Sequence, residues 1–162
     1  MDTDRALTEV ELDQVVTWNV VRVARFLGQR LAERLATQEL HPVHFGVLAQ
    51  LDITGPLSQA DLARAVLLRP QSIAPVLDGL ERRGLLERTG SRARGRRNPV
   101  QITDAGRGAL KSAWDVAAAS NDMRDAGLTA EEGAHLNRLL LKVVGASRGR
   151  LSDDSAWNWS DR

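Results

Sequence analysis

The sequence predicts a mainly α-helical fold with one small β-hairpin, and three observations predict it. Apolar residues recur at spacings of three and four through most of the chain. The pattern changes only around "LLERT" and "NPVQIT", which read as two short strands. Between those strands lies a loop with four arginines in six residues, Arg92 to Arg97. At 162 residues, 43% hydrophobic and 27% charged, the chain is about one domain long and able to bury a core.

Taken in order, "TEVE" at Thr8–Glu11 is a capping-box pattern that starts a helix near Glu9. Val16, Val20, Val23, Leu27, Leu31 and Leu35 continue it as one apolar stripe, on a helix expected to run about 25 residues. "LHPVHFGVLAQLD" gives a second helix, with Pro42 in its first turn and Phe45, Leu48 and Leu51 facing a core. A Gly-Pro break with a short strand ends it. "SQADLARAV" is then a short helix with Ser58 and Asp61 as a second capping box. After the turn "LLR", "PQSIAPVLDGLERRG" places Ile73, Val76, Leu77 and Leu80 on one face and stops at Gly84. Two short helices joined by a tight turn make a helix-turn-helix candidate. Beyond the hairpin, Thr103 caps a helix striped by Leu110, Trp114, Ala117 and Ala118. Gly127 interrupts it, and Thr129 with Glu132 opens a last helix striped by Leu136, Leu139, Leu140 and Val143. The tail is polar apart from Trp157 and Trp159.

Several function classes fall away on composition. Without cysteine there is no disulfide, thiolate metal site or cysteine redox chemistry. The opening "MDTDRALTEVELD" is acidic and lacks an apolar stretch, so no secretory leader is expected. The most apolar run is broken by Arg22 and Arg25, so no membrane span is expected either, and the expected compartment is the cytoplasm. His41, His44 and His135 stand singly, which fits packing or surface roles better than a metal site. No phosphate-binding loop or nucleophile–base spacing stands out, so neither an enzyme nor a cofactor is expected.

Charge is informative by position. The net charge is +1, yet residues 82–97 hold seven arginines against Glu87 alone, which leaves the remainder at −5. All the basic residues except Lys111 and Lys142 are arginine, so the clustering is the signal and the choice of arginine is not. A basic focus on a mildly acidic body suits a phosphate-binding surface. The competing reading is a solvated hairpin turn. Its place directly after a helix-turn-helix favours nucleic acid.

The runs "LSQADLARAVLLRPQSIAPVLDGLERRGLLERTG" and "GRRNPVQITDAGR" resemble the MarR family of bacterial transcriptional regulators, from about Leu40 to Gly106. The resemblance implies a winged helix-turn-helix with N- and C-terminal dimerisation helices. It further implies a homodimeric repressor on a palindromic operator of double-stranded DNA, released by a small aromatic effector. The corresponding division of the chain is an N-terminal dimerisation helix (1–39), a DNA-binding lobe (40–103), C-terminal dimerisation helices (104–150) and a polar tryptophan-containing tail (151–162). All belong to one structural domain per subunit. Alternatives are a winged-helix protein-interaction module and a non-specific architectural DNA binder.

Carried over by position, the recognition helix spans about Pro70 to Arg83 and the wing about Gly90 to Pro99. Three departures stand out. Gly95 occupies the place before Arg96 and Arg97 where an acid is common. Arg92 replaces a second acid, so the wing is expected to gain its order on the duplex. Ala74 and Pro75 replace a common Thr-Arg pair. Because proline inside a helix removes a donor and clashes with the preceding turn, regular helix is expected to start near Gln71 or Ser72, with Ser72 as cap. Candidate DNA-contacting residues are Pro70, Gln71, Ser72, Ala74, Pro75 and Arg82 on the recognition helix, and Ser91, Arg92, Arg94, Arg96 and Arg97 on the wing. Gln71 suits adenine, and Ser72 a base edge or a phosphate. Arg92 or Arg94 suits a minor groove. Arg96 and Arg97 either hold phosphates or pair with Asp78 or Glu81. Trp18 and Trp114 are the candidates for an effector pocket, with core or interface packing as the alternative.

Overall fold

The computed structural model describes residues 6–89 and 99–148, with side chains described up to residue 146. Seven helices and a two-stranded hairpin appear among them: α1 (Glu9–Asp13), α2 (Val16–Ala36), α3 (Pro42–Thr54), α4 (Gln59–Ala65), α5 (Pro70–Arg82), β1 (Leu86–Arg88), β2 (Val100–Ile102), α6 (Asp104–Ala119) and α7 (Ala130–Arg148). A 3-10 turn at Arg124–Ala126 links the last two helices.

Two of the three predicted capping boxes close in both directions, and the third forms its N-cap bond. Thr8 and Glu11 bond reciprocally at α1, and Thr129 and Glu132 do so before α7. Ser58 Oγ accepts from the Asp61 amide at 3.2 Å. Thr103 Oγ1 accepts from the Gly106 amide at 3.0 Å and donates to the Gly84 carbonyl at 2.6 Å. One cap was not foreseen. His41 is the N-cap of α3: its ring accepts from the Val43 amide, while its own amide donates to His44 Nδ1 at 3.2 Å. Two imidazoles thus do the work usually given to Ser and Glu, with Pro42 at the first helical position as expected.

The long first helix is two helices. Gln14 and Val15 break it, with Val15 extended at φ −82° and ψ 95°. Asn19 Nδ2 donates to the Asp13 carbonyl at 2.6 Å and Arg22 pairs with Asp13 at 2.9 Å. The free carbonyl at the end of α1 is therefore satisfied from α2, which offsets the lost helical continuity.

The core lies among α3, α4, α5, the hairpin and α6. Val47, Leu48 and Leu51 of α3, Leu62 of α4, Ile73, Leu77 and Leu80 of α5, Leu86, Val100 and Ile102 of the hairpin and Ala113 of α6 are buried together. Leu35 at the end of α2 reaches the same cluster and is fully buried. The strands pair antiparallel, Leu86 opposite Ile102 and Arg88 opposite Val100. The expected strand after α3 shrinks to one bridge, Leu57 to Val100, closed by amide–carbonyl bonds of 3.0 and 2.8 Å.

Gly106 sits where α6 crosses the α5–β1 junction. A Cβ there would overlap the Leu85 carbonyl oxygen, the same oxygen that accepts from the Thr103 amide at 3.2 Å. Only glycine lets the helix approach the backbone this closely.

Candidate nucleic-acid interface and effector cleft

The helix-turn-helix is α4, the turn at Val66–Arg69, and α5. Leu67 takes a left-handed φ of 58° in the turn, and the Leu68 amide returns to the Ala63 carbonyl at 2.8 Å. Gln59 Nε2 donates to the Pro70 carbonyl at 3.4 Å, tying the start of α4 to the start of α5.

Helix α5 starts at Pro70 and not at Gln71 or Ser72. The reason is local. A residue before proline is driven out of the helical region, so Arg69 is extended (φ −69°, ψ 146°) and becomes the N-cap. Pro70 then fills the first helical position, where an amide would be unpaired anyway. Ser72 is consequently inside the first turn, its amide donating to the Arg69 carbonyl at 2.9 Å, and is not the cap. Pro75 falls in the helix interior and cannot donate to the Gln71 carbonyl. Gln71 and Pro75 are both exposed, so water can replace the missing donor there, while Ile73, Leu77 and Leu80 bury the opposite face.

The exposed face of α5 therefore reads Gln71, Pro75, Asp78, Arg82, at spacings of four, three and four. Pro70 is exposed at its start; Ser72 and Ala74 are half-buried at its flanks. Arg82 Nε donates to the Asp78 carbonyl at 3.3 Å, which leaves its guanidinium tip on the surface. Beside this face lies an ion-pair cluster that sequence reasoning missed. Arg88 on β1 pairs with Asp78 at 2.6 Å and with Glu81, both on α5. The wing residues Ser91, Arg92, Arg94, Arg96 and Arg97 lie outside the described residues, as do Trp157 and Trp159. The strands flanking the wing are described, and Thr89 closes them by donating from its amide to the Pro99 carbonyl at 2.9 Å.

A cleft of about 370 Å³ opens between α2, α3 and α6. Trp114 lines it and stacks on Phe45, ring centroids 6.3 Å apart at 27°. Trp18 does not line this cleft and lies half-exposed on α2. Arg30 and Arg34 of α2 supply cationic groups at the wall. Arg30 bonds Asp125 at 2.9 Å and lies 5.5 Å from the Phe26 ring centroid, and Arg34 donates to the Ala119 carbonyl at 3.1 Å. Asp122 also lines the wall; hydrogen bonds from the Arg124 side chain and amide pull its carboxyl down to about 2. At the start of α3, burial first, then His41 and Arg83, hold the His44 imidazole below its ordinary value. Among the described residues no group of three or more His, Asp or Glu side chains is placed to hold a metal ion, and no helix is long and apolar enough to cross a membrane.

A helix-turn-helix with a hairpin immediately after its second helix defines the winged-helix class. Comparison with known proteins narrows it. A sequence model described as the MarR family matches residues 38–97. The HTH-type transcriptional repressor Rv2887 of Mycobacterium tuberculosis is 31% identical over 131 residues, 81% of this chain and 94% of that protein. The chain belongs to the MarR family. The crystal structure of Rv2887 in complex with salicylic acid is similar at a TM-score of 0.64 and 30% identity, covering 86% of this chain and 98% of that one. The fold is also that of the transcriptional repressor CouR bound to a 23-mer DNA duplex, at a TM-score of 0.71 and 24% identity over 87% of this chain and 99% of that one. No enzymatic family is indicated.

Proposed function

We propose that the chain is a ligand-responsive transcriptional repressor that binds a palindromic double-stranded operator as a homodimer. The observation that carries this reading is the exposed face of α5, set directly beside the hairpin whose connecting segment holds four arginines. A helix of this size enters a major groove, and arginines on an adjoining wing reach the flanking phosphates or the minor groove. Gln71 and Ser72 read base edges near the start of α5. Pro70, Ala74 and Pro75 offer apolar contact to thymine methyls, and Arg82 holds phosphate. Ser91, Arg92, Arg94, Arg96 and Arg97 form the wing contacts. Since Asp78 and Glu81 are already paired with Arg88, phosphate is the role we assign to Arg96 and Arg97.

Residues 40–103 form the DNA-binding lobe, and 1–39 and 104–150 supply the dimerisation helices. Val16, Val20 and Val23 of α2 and Leu139, Leu140 and Val143 of α7 are exposed apolar side chains that a second subunit would cover. The cleft holding Trp114 is the effector site. Its aromatic stack and its arginines suit a small aromatic anion, as salicylic acid is for the relative that binds it. Trp18, away from that cleft, is assigned to the subunit interface. The protein works in the cytoplasm, without catalysis.

Salt dependence tests the reading. Binding to a palindromic duplex should saturate at two subunits per site, and its affinity should fall steeply with salt, by a log–log slope of about 0.9 per phosphate contact. Equal binding to acidic polymers with no sequence preference would favour a protein-interaction module instead.

A further inference from the structure

The recognition helix carries two acids, Asp78 and Glu81, in its C-terminal half. Asp78 lies on the same exposed face as Gln71, Pro75 and Arg82, and its side chain is 59% accessible. A helix read from its N-terminal end passes its later turns along the groove wall, where the phosphates run. Two bare carboxylates there would oppose the duplex.

Arg88 lies on the neighbouring strand at the base of the wing, its side chain 27% accessible. One of its terminal nitrogens reaches Asp78 Oδ1 at 2.6 Å and the other reaches Glu81. The guanidinium is thus committed to both acids, in the planar fork geometry that suits arginine and not lysine. Arg82, the nearest other cation on the helix, turns its Nε to the Asp78 backbone carbonyl. Glu87, next in sequence to Arg88, is engaged elsewhere: its carboxylate accepts from Gln101 at 2.5 Å.

We infer that Arg88, although part of the arginine-rich stretch, is a positioning residue and not a phosphate contact. It neutralises the two recognition-helix acids and fixes that helix against the base of the wing. The inference rests on the DNA-binding reading above. It also changes the count of groups available to the duplex, since Arg88 is spent within the protein, as is Arg83, which donates to the Glu39 carbonyl at 2.7 Å.

Charge-matched variants test it, with the duplex that wild-type protein recovers from a random pool as the probe. Arg88→Gln should weaken binding about tenfold. Adding Asp78→Asn restores the wild-type net charge and removes one unpaired acid, so affinity should return to within about threefold of wild type. Adding Glu87→Gln instead restores the same net charge away from the cluster and should recover nothing. Unchanged binding by Arg88→Gln would overturn the inference. So would failure of both double variants, which would mark Arg88 as a direct contact or a residue needed for folding. Equal recovery by both would also overturn it, since only bulk charge would then matter. Wild-type protein that retains no duplex would overturn the DNA-binding reading and this inference with it.

Discussion

The two halves of α2 share one apolar stripe and meet opposite fates. Leu35, at its C-terminal end, is fully buried in the lobe core, and Leu31 packs against that core. Val16, Val20 and Val23, in register on the same stripe, are exposed, Val16 at 73%. Helix α7 resembles the exposed half: none of its described side chains is buried. The core, Leu35 included, is closed within one subunit, whereas the N-terminal half of α2 and α7 present apolar surface that this subunit does not cover. Periodicity identifies a face that wants burial, and it is silent on whose side chains bury it.

The sharpest way to break the comparison is at its buried end. Leu35→Ala should destabilise the protein by about 2–5 kcal/mol, because the lobe cannot collapse around the cavity, and thermal unfolding would register it. At the exposed end, Val20→Asp should leave the lobe folded yet weaken self-association by about tenfold or more, roughly 1.4 kcal/mol, as sedimentation would show. Unchanged association would place the interface elsewhere. The same separation extends to DNA. Arg94→Ala should weaken duplex binding by more than about tenfold with dimerisation intact, whereas Lys142→Ala on α7 should change neither.

The smallest effect belongs to the lobe and is a pH slope. Because the folded protein holds His44 below its ordinary value of 6.5, the unfolded chain binds that proton more tightly. Its contribution is complete above that value and is lost as pH falls through it towards the lower native one. Urea unfolding midpoints should decline over that range, and His44→Gln should flatten the decline.

Much of this was legible in the sequence because the signals were local. Capping signals at Thr8, Ser58 and Thr129 each need only a side chain and an amide three residues on; the boxes at Thr8 and Thr129 close in both directions, and Ser58 caps through its hydroxyl. The alternation around Leu86 and Val100 located the hairpin. What escaped were features that depend on placement across the fold. The break at Val15 is held by Asn19 and Arg22 reaching back to Asp13. The role of Gly106 is set by the Leu85 carbonyl, about twenty residues earlier in the chain, and Arg88 finds partners seven and ten residues away on another element. The start of α5 was misplaced for a different reason. The interior penalty of Pro75 points to a later start, but the stronger local rule is that Pro70 forces Arg69 into the cap. Trp18 and Trp114 looked alike in sequence; only Trp114 is brought to the cleft, because α6 stacks it on Phe45 of α3.

Selection of binders from a random duplex pool by the purified protein at physiological salt tests the central claim most directly. Recovery of a shared palindrome, with half-sites about one helical turn apart, is the predicted result. Recovery of DNA with no common sequence, or of none at all, would contradict it.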